Sequence, residues 1–377
     1  MTKKLTIIFL CVFSILVLIA SYYFMTKNHL ESDGISQQMI KTPIKYILDN
    51  SKPITKKSNQ DPETLILSCD EEDFKNIQEK LEKSPREEAI ERLFLSLSKK
   101  EDDLLLYHLS SSSKEQDATI EFLKEYVGKH PENSLAQLSL ILNCSYSVGK
   151  CNESFEYSAI NNDQGNAVLW LNIASMRSQR NDIEGATIAL TKAASMSNFN
   201  EYSAEIDRLY QDTLMNHIDI TIYEKFSITW GIHFINTLGN TSSIYRLCTE
   251  NSKIRPEISN LCIRIGKNMI TYGQTVISKA FGYGLMEKSY RALGDIESAD
   301  KTSTLREIDR KIYWGDLSWD AMELSLFDHE LLNDIYETRR SQGELSSITF
   351  AVEEAIRLTK IPGYNPCPEI NIFQTSK

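Results

Sequence analysis

Apolar residues recur at helical spacing through most of the chain, and this pattern limits the possible folds more than any other feature. Residues 84–87 read SPRE, a helix-capping box with proline at the first helical position, and the apolar residues of 90–97 follow at spacings of three and four. Alternation of apolar and polar residues, which is typical of strands, is almost absent, and glycine (15) and proline (9) are scarce. The sequence therefore predicts an all-α fold.

The same periodicity predicts a series of helices joined by short loops. Short loops make successive helices antiparallel neighbours, so the expected fold is an antiparallel array of helix hairpins. The predicted helices lie near residues 119–128, 133–144, 152–160, 167–179, 183–196, 202–216, 220–238, 256–272, 274–292, 296–311, 317–339 and 344–360.

The N-terminal residues predict a transmembrane anchor. Leu5–Phe24 contains twenty residues without a charged side chain, and as a helix it would be about 30 Å long, enough to cross the hydrocarbon core of a bilayer. Lys3 and Lys4 precede it, and two tyrosines lie near its far end, where aromatic residues are common. A cleaved signal peptide is the alternative, but its apolar core is normally shorter, and Leu18 and Ala20 make a poor small-x-small cleavage site.

The basic residues place most of the chain on the far side of the membrane. Residues 1–4 form a basic tail that stays in the cytoplasm under the positive-inside rule. Residues 25–63 contain three prolines and many polar residues, a composition typical of a tether. Residues 64–377 then form the helical domain outside the cytoplasm. The net charge of −11 argues against nucleic-acid binding, because phosphate binding needs a concentrated basic patch.

Cysteine spacing predicts two disulfides between neighbouring helices. Cys144 ends one helical pattern and Cys151 starts the next, so two antiparallel helices joined by a short turn would bring these residues within disulfide reach. Cys248 and Cys262 flank a second short segment in a similar way. We therefore expect the pairs 144–151 and 248–262.

The remaining cysteines and the histidines favour a structural role in an oxidising compartment. Cys69 and Cys367 form a third pair by elimination, and Cys11 within the predicted anchor acts as a small apolar residue. A metal site is not predicted, since no C-x-x-C motif occurs and the six histidines are scattered singly. Reduced thiols in a cytosolic protein are the alternative, but an anchor followed by an even number of cysteines favours disulfides.

One six-residue motif occurs twice between predicted helices. Residues 181–186 read NDIEGA and residues 294–299 read GDIESA. The first residue of each motif tolerates the left-handed conformation that ends a helix, and the aspartate that follows is a good N-cap for the next helix. Ala186 and Ala299 are small enough for two helices to approach closely. Both motifs therefore predict the turn of a helix hairpin rather than a chemical site.

The residues around the first motif resemble a tetratricopeptide repeat (TPR), a helix–turn–helix unit of about 34 residues. The best unit spans 166–198, and a second hairpin spans 275–311. Arg177 and Asn198 depart from the family pattern, which usually has an aromatic residue and a proline there. The residues that match the packing positions of the family are Trp170, Ile173, Ala174, Ala186, Leu190 and Ala193.

This resemblance implies a TPR-like α-α superhelix whose concave face binds a protein or a peptide. Residues of the first repeat helix, such as Asn172 and Ser175, would contribute to that face. The whole chain is also similar to helical, cysteine-containing, membrane-anchored envelope proteins of Gram-negative bacteria. That similarity implies a single-pass protein of the bacterial inner membrane with a periplasmic C-terminal domain.

No complete catalytic or cofactor-binding motif is found, because G-x-S-x-G, H-E-x-x-H, Walker and G-x-G-x-x-G sequences are all missing. The sequence ESF at 153–155 resembles the start of the lytic transglycosylase motif, in which a glutamate (here Glu153) is a general acid held in an apolar pocket. The rest of that motif is missing. Trp230, Trp314 and Trp319 could line a ligand groove, although tryptophans at helical spacing more often pack in a core.

These features together predict a membrane-anchored protein-binding or scaffold module without enzymatic activity, metal or cofactor. Its partners would be the membrane, through Leu5–Phe24, and a protein or peptide. A cell-envelope hydrolase related to lytic transglycosylases is the first alternative. The others are a soluble secreted form after signal cleavage and a purely structural spacer near the lipid.

Overall fold

The chain divides into two compact units, residues 1–64 with 69–84 and residues 65–68 with 85–377. Cys69 is the one described residue of the first unit, so the architecture given below is that of the second unit. The computed structural model describes residues 66–67, 69, 116–147, 149–209 and 241–367.

Several predicted segments lie outside the described residues. These are the anchor Leu5–Phe24, the tether 25–63, and the helices expected around 90–97 and 220–238. Within the part of the chain that the structure describes, no helix is both long and apolar enough to span a bilayer. The anchor and the orientation across the membrane therefore stay predictions.

The described residues form α-helices and no strand, which confirms the predicted all-α class. Residues 203–209 are helical and border residues outside the described part. The other described helices are α1 (Gln116–Lys129), α2 (Ser134–Cys144), α3 (Glu153–Asp163), α4 (Ala167–Gln179), α5 (Ile183–Ala194), α6 (Thr241–Glu250), α7 (Pro256–Tyr272), α8 (Val276–Leu293), α9 (Ile296–Trp314), α10 (Asp316–Ser325), α11 (His329–Gln342) and α12 (Glu344–Thr359).

Helix α6 is absent from the helices that the sequence predicts. Its buried residues include Ile244, Leu247 and Cys248, which follow one another at spacings of three and one and so share a face. The helix has ten residues and begins at Thr241, so it offers a short pattern and few apolar residues. The packing of that narrow face stabilises a helix that the local sequence indicates only weakly.

The single helix predicted over 317–339 is wrong, because the structure has α10 and α11 there. The chain turns at Leu326–Asp328, and the side chain of Phe327 is buried at this corner. Asp328 starts the second helix as its N-cap, since its Oδ1 accepts a hydrogen bond of 2.9 Å from the N–H of Leu331. An apolar corner followed by an aspartate cap therefore divides one periodic segment into two helices.

The two repeated motifs form turns with the same geometry. Asn181 and Gly294 both have positive φ, +62° and +82°. The N–H of the following aspartate donates to the carbonyl oxygen five residues earlier, at 3.0 Å for Asp182 and 2.9 Å for Asp295. Each aspartate side chain then accepts a hydrogen bond from the N–H three residues further on, at 2.8 and 3.0 Å. Both helix ends and both N-caps are those that the sequence predicts.

Successive helices pack against one another in pairs, with the most extensive contacts between α7 and α8 and between α4 and α5. Two glycines allow α7 and α8 to approach closely. A Cβ atom on Gly266 would lie 2.6 Å from the carbonyl oxygen of Gly282, and one on Gly282 would lie 2.8 Å from the carbonyl oxygen of Gly266. Any larger residue at either position would force the two backbones apart.

Two disulfides join neighbouring helices, and they are the two that the cysteine spacing predicts. Cys144 bonds to Cys151 across the turn between α2 and α3, with 5.8 Å between the Cα atoms. Cys248 bonds to Cys262 between α6 and α7, with 6.0 Å between the Cα atoms. Cys69 and Cys367 are also disulfide-bonded. That these two cysteines bond to each other stays a prediction.

A buried glutamate gives the arginine at position 177 a structural role. The carboxylate of Glu156 on α3 is buried, and Arg177 and Arg180 each donate to one of its oxygens at 2.8 Å. Arg180 also donates to the carbonyl oxygen of Cys151 at 2.6 Å. The arginines therefore compensate the buried charge and tie the end of α4 to the disulfide turn.

Candidate functional site

Helix α9 buries little of its own surface. Of its 19 residues, Ala299 and Thr302 are buried. Leu305, Ile308 and Ile312 instead expose 44%, 51% and 54% of their surface. Their spacings of three and four place them one above another on one face of the helix. These three residues are called the α9 ridge below.

Polar contacts tie α9 to α8 without using the ridge. The hydroxyl of Tyr283 on α8 donates to Asp309 at 3.1 Å. Arg306 on α9 pairs with the carboxylate of Glu287 on α8 at 3.1 Å, and that carboxylate is nearly buried. These contacts fix α9 against α8, with Asp309 at the edge of the ridge and Arg306 further around the helix, and the three ridge side chains stay about half exposed.

Some charged residues of α9 form ion pairs and others do not. Asp300 pairs with Arg291 of α8 at 2.9 Å, and Glu307 pairs with an arginine three residues further along α9 at 2.7 Å. Lys301 and Lys311 are exposed, and neither forms an ion pair with any residue that the structure describes. Two carboxylates of α9 also have no ion pair within the described residues: Asp309 accepts the hydroxyl hydrogen bond of Tyr283, and Glu297 lies in the first turn.

A second notable group is a cluster of buried charged residues where three segments meet. Glu201 precedes the helical residues 203–209, and its carboxyl group is enclosed by the start of α8. Thr275 donates to one carboxyl oxygen at 2.7 Å, and Ser278 donates to the other. Burial raises the pKa of Glu201 to about 7; the two hydroxyl bonds lower it in part, and the charge of Glu344 raises it further.

The other members of this cluster come from α11, α12 and the segment 203–209. Arg339 and Asp207 form a buried ion pair, in which Nε donates to Oδ2 at 2.8 Å. Glu344, the first residue of α12, is buried, and the backbone N–H of Val276 donates to it. Burial raises the pKa of Asp207 and of Glu344, and the nearby guanidinium group of Arg339 counteracts part of that rise.

The chemistry open to this cluster is the binding of protons. Arg339 offsets the charges of Asp207 and Glu344. With Glu201 also buried, full ionisation of the three carboxyl groups would leave negative charge in a medium of low polarity. Among the described residues, no group of three or more His, Cys, Asp or Glu side chains is arranged to hold a metal ion. The cluster therefore links the packing of the 201–209 segment, α8, α11 and α12 to pH.

The six residues predicted to pack the first hairpin all lie in its core. Trp170 is the most exposed of them at 9%, and its indole N–H donates to the carbonyl oxygen of Gln164 at 2.8 Å. The others are fully buried: Ile173, Ala174, Ala186, Leu190 and Ala193.

The residues suggested for a concave binding face are buried, so that suggestion is wrong for these positions. Asn172 is 1% exposed and its amide donates to the carbonyl oxygen of Val168 at 2.8 Å. Ser175 is fully buried, and the hydroxyl of Ser243 on α6 donates to its carbonyl oxygen at 3.3 Å. Helix α6, which the sequence does not predict, packs on α4 and covers the face to which these residues belong.

Among the described residues, the candidate catalytic glutamate and two of the candidate groove tryptophans lie on different helices. Glu153 is exposed in the first turn of α3, where the helix dipole favours a carboxylate, and not in an apolar pocket. Trp314 ends α9 and Trp319 lies on α10, both partly buried. Trp230 lies outside the described residues.

Comparison with known proteins gives no relative from which a function could be transferred. Neither the models of protein families, nor the curated proteins, nor the solved structures contain a match to this chain.

Sequence reasoning missed both the α9 ridge and the buried cluster. The ridge has a signal, since apolar residues at 305, 308 and 312 follow helical spacing. That spacing does not reveal whether a neighbouring helix covers the stripe. The cluster has no local signal, because Glu201 and Glu344 are far apart in the chain and resemble ordinary solvated glutamates in sequence.

Proposed function

We propose that this protein is a membrane-anchored, TPR-like helical-repeat protein that holds a protein partner on the exported side of a bacterial inner membrane. The observation that carries the proposal is the α9 ridge. Three neighbouring aliphatic side chains on one helix face are about half exposed, while polar contacts with α8 fix the helix. Contiguous apolar surface of this kind marks interaction sites in soluble domains.

The repeat part of the proposal is supported by the two hairpin turns. Asn181 and Gly294 end their helices in the left-handed conformation, and an aspartate cap follows each. Ala186 and Ala299 are fully buried at the equivalent positions after the turn. A chain that uses the same turn chemistry and the same small packing residue twice is typical of stacked helix hairpins.

The location is supported by the N-terminal sequence and by the disulfides. Leu5–Phe24 has the length and composition of a membrane-spanning helix. The pairs Cys144–Cys151 and Cys248–Cys262 have Cα separations suited to disulfides, which persist in oxidising compartments such as the periplasm.

The proposal is tested by isolating the full chain from membranes and comparing three forms by quantitative mass spectrometry. The forms are wild type, Ile308→Asp and Ile188→Asp. Ile188 is a matched control because it is a helical isoleucine on α5 with 52% exposure, close to the 51% of Ile308. We expect a protein that co-purifies with wild type and with Ile188→Asp and is lost from Ile308→Asp, because a charge in the ridge would have to be desolvated on binding.

Two results would contradict the proposed function. One is an identical set of co-purifying proteins for all three forms. The other is equal loss from both variants, which would indicate a general effect of added charge. Circular dichroism of each form shows that a loss does not come from unfolding.

A further inference from the structure

The α9 ridge continues by one residue toward the start of the helix, and that residue is a lysine. Lys301, Leu305, Ile308 and Ile312 are separated by four, three and four residues. This is the spacing of the seam between two packed helices, and it covers about 16 Å along the axis. Lys311 precedes Ile312 and lies beside the seam, at a position from which ion pairs between helices form.

We propose that the seam of α9 binds an amphipathic helix of a partner protein whose own apolar stripe is accompanied by aspartate or glutamate residues. This inference rests on the proposed function and specifies the chemistry of the partner. Apolar residues on the partner would pack against the ridge, and its carboxylates would face Lys301 and Lys311.

Charge complementarity determines which charge the partner helix should carry beside its apolar stripe. The carboxylates of Asp300 and Glu307 already pair with arginines of this chain, whereas Lys301 and Lys311 have no ion pair within the described part of the chain. Of the other carboxylates of α9, Asp309 accepts the hydroxyl hydrogen bond of Tyr283 at 3.1 Å, and Glu297 lies in the first turn, where the helix dipole favours it. An acidic partner would therefore gain two ion pairs, and a basic partner would face like charges.

A second copy of this chain is a poor occupant of the seam in either direction. Parallel pairing of two α9 helices in register places Lys301 opposite Lys301, and the like charges repel. Antiparallel pairing of the four seam positions places Lys301 opposite Ile312, so the ammonium group would lose water without gaining a carboxylate. The seam therefore favours pairing with a helix of another protein over pairing with α9 of a second copy.

An anionic lipid surface is also a poor occupant. Helices that lie on membranes have a polar face rich in lysine and arginine. In α9 the exposed polar residues include Glu297, Asp300 and Glu307 among the lysines. The carboxylate of Asp309, four residues after Leu305, lies at the edge of the ridge and would approach the lipid phosphates if the ridge entered the membrane.

The test measures binding of two synthetic helices to the purified full chain by fluorescence anisotropy. Both peptides have about 21 residues and leucines at seam spacing. The acidic peptide carries glutamates opposite Lys301 and beside the seam, and the basic peptide carries lysines at the same positions. Each is titrated at low and high salt against wild type, Ile308→Asp, Lys301→Glu and the control Ile188→Asp.

We expect the acidic peptide to bind wild type at least about tenfold more tightly than the basic peptide at low salt, and the difference to shrink at high salt. Lys301→Glu should narrow or reverse this preference. Ile308→Asp should abolish binding of both peptides, while Ile188→Asp should bind as wild type does.

Equal binding of the two peptides, or an acidic preference that Lys301→Glu does not alter, would overturn the inference. So would ridge-dependent dimers in sedimentation, or ridge-dependent binding to vesicles of anionic phospholipid in place of the acidic peptide. These outcomes differ from failure of the proposed function. If Ile308→Asp loses a co-purifying protein but the peptides bind equally, partner binding stands and the acidic chemistry fails.

Discussion

Glu201 is a carboxyl group that the fold holds in its protonated form up to about neutral pH. Two hydroxyl groups donate to its oxygens, yet burial and the nearby Glu344 outweigh them. Its pKa of about 7 therefore exceeds the 4.5 expected for a solvated glutamate. A proton is bound more tightly in the folded protein than in the unfolded one, so stability depends on pH.

The direction of that dependence follows from the two pKa values. Well below pH 4.5, Glu201 is protonated in both states and burial brings no charge penalty. As the pH rises to about 7, the unfolded chain releases the proton first, so the free energy of unfolding falls. The loss attributable to this residue is about 3 kcal/mol, and the raised pKa of Asp207 and of Glu344 acts in the same direction.

We expect thermal unfolding of the full chain to show a melting temperature that decreases from pH 5 to pH 8. Glu201→Gln removes the ionisation while keeping a group that can bond to Thr275 and Ser278, so it should flatten this decrease and raise the melting temperature at pH 8. Glu153→Gln is the matched control, because Glu153 is exposed. Identical pH profiles for wild type and Glu201→Gln would contradict this account of the cluster.

At the scale of helix pairs, the contact between α7 and α8 depends on glycine. A methyl group on Gly282 would lie 2.8 Å from the carbonyl oxygen of Gly266 and 3.0 Å from Cβ of Met269. Backbone atoms cannot rotate away, so the two helices would have to separate.

Gly282→Ala should therefore lower the free energy of unfolding by about 1–3 kcal/mol, as overpacking does in other cores. Gly128→Ala on α1 is the matched control, because no atom lies within 4 Å of its added Cβ. There alanine should be neutral or stabilising by up to about 1 kcal/mol. Urea denaturation measures both, and equal effects of the two substitutions would show that the close approach is not required.

The turn between α8 and α9 fixes the direction in which α9, the helix that carries the ridge, leaves α8. Gly294 adopts a φ of +82° with open space around it, so a substitution there strains the backbone alone. We expect Gly294→Ala to cost about 1 kcal/mol in urea denaturation. Gly294→Asn should cost less, because Asn181 adopts the same conformation at the equivalent turn. Equal costs for alanine and asparagine would be inconsistent with this explanation.

At the scale of the whole molecule, local chemistry was predictable and tertiary burial was not. The caps at Asp182 and Asp295 and the turn between Cys144 and Cys151 depend on residues close in sequence, so the sequence indicates them directly. The burial of Ser175 depends on α6, about 70 residues away, which packs on α4 and donates to the Ser175 carbonyl oxygen from Ser243. The exposure of the ridge and the meeting of Glu201 with Glu344 depend on the tertiary fold in the same way.

Partner binding through the α9 ridge on the exported side is the central claim about the whole molecule. The ridge would provide the binding surface, and the predicted anchor and the disulfides would place that surface on the exported side of the membrane. The polar contacts of Asp309 and Arg306 with α8 hold that surface in place before any partner arrives. A preformed surface lowers the entropic cost of binding.

The most direct measurement places a photo-crosslinking amino acid at position 308 of the full chain in intact cells, with position 188 as the control. A side chain at the interface reacts with the molecule that covers it. We expect a discrete protein adduct from position 308 that disappears when Leu305→Asp is added, and no such adduct from position 188. No adduct from position 308, or the same adducts from both positions, would contradict it.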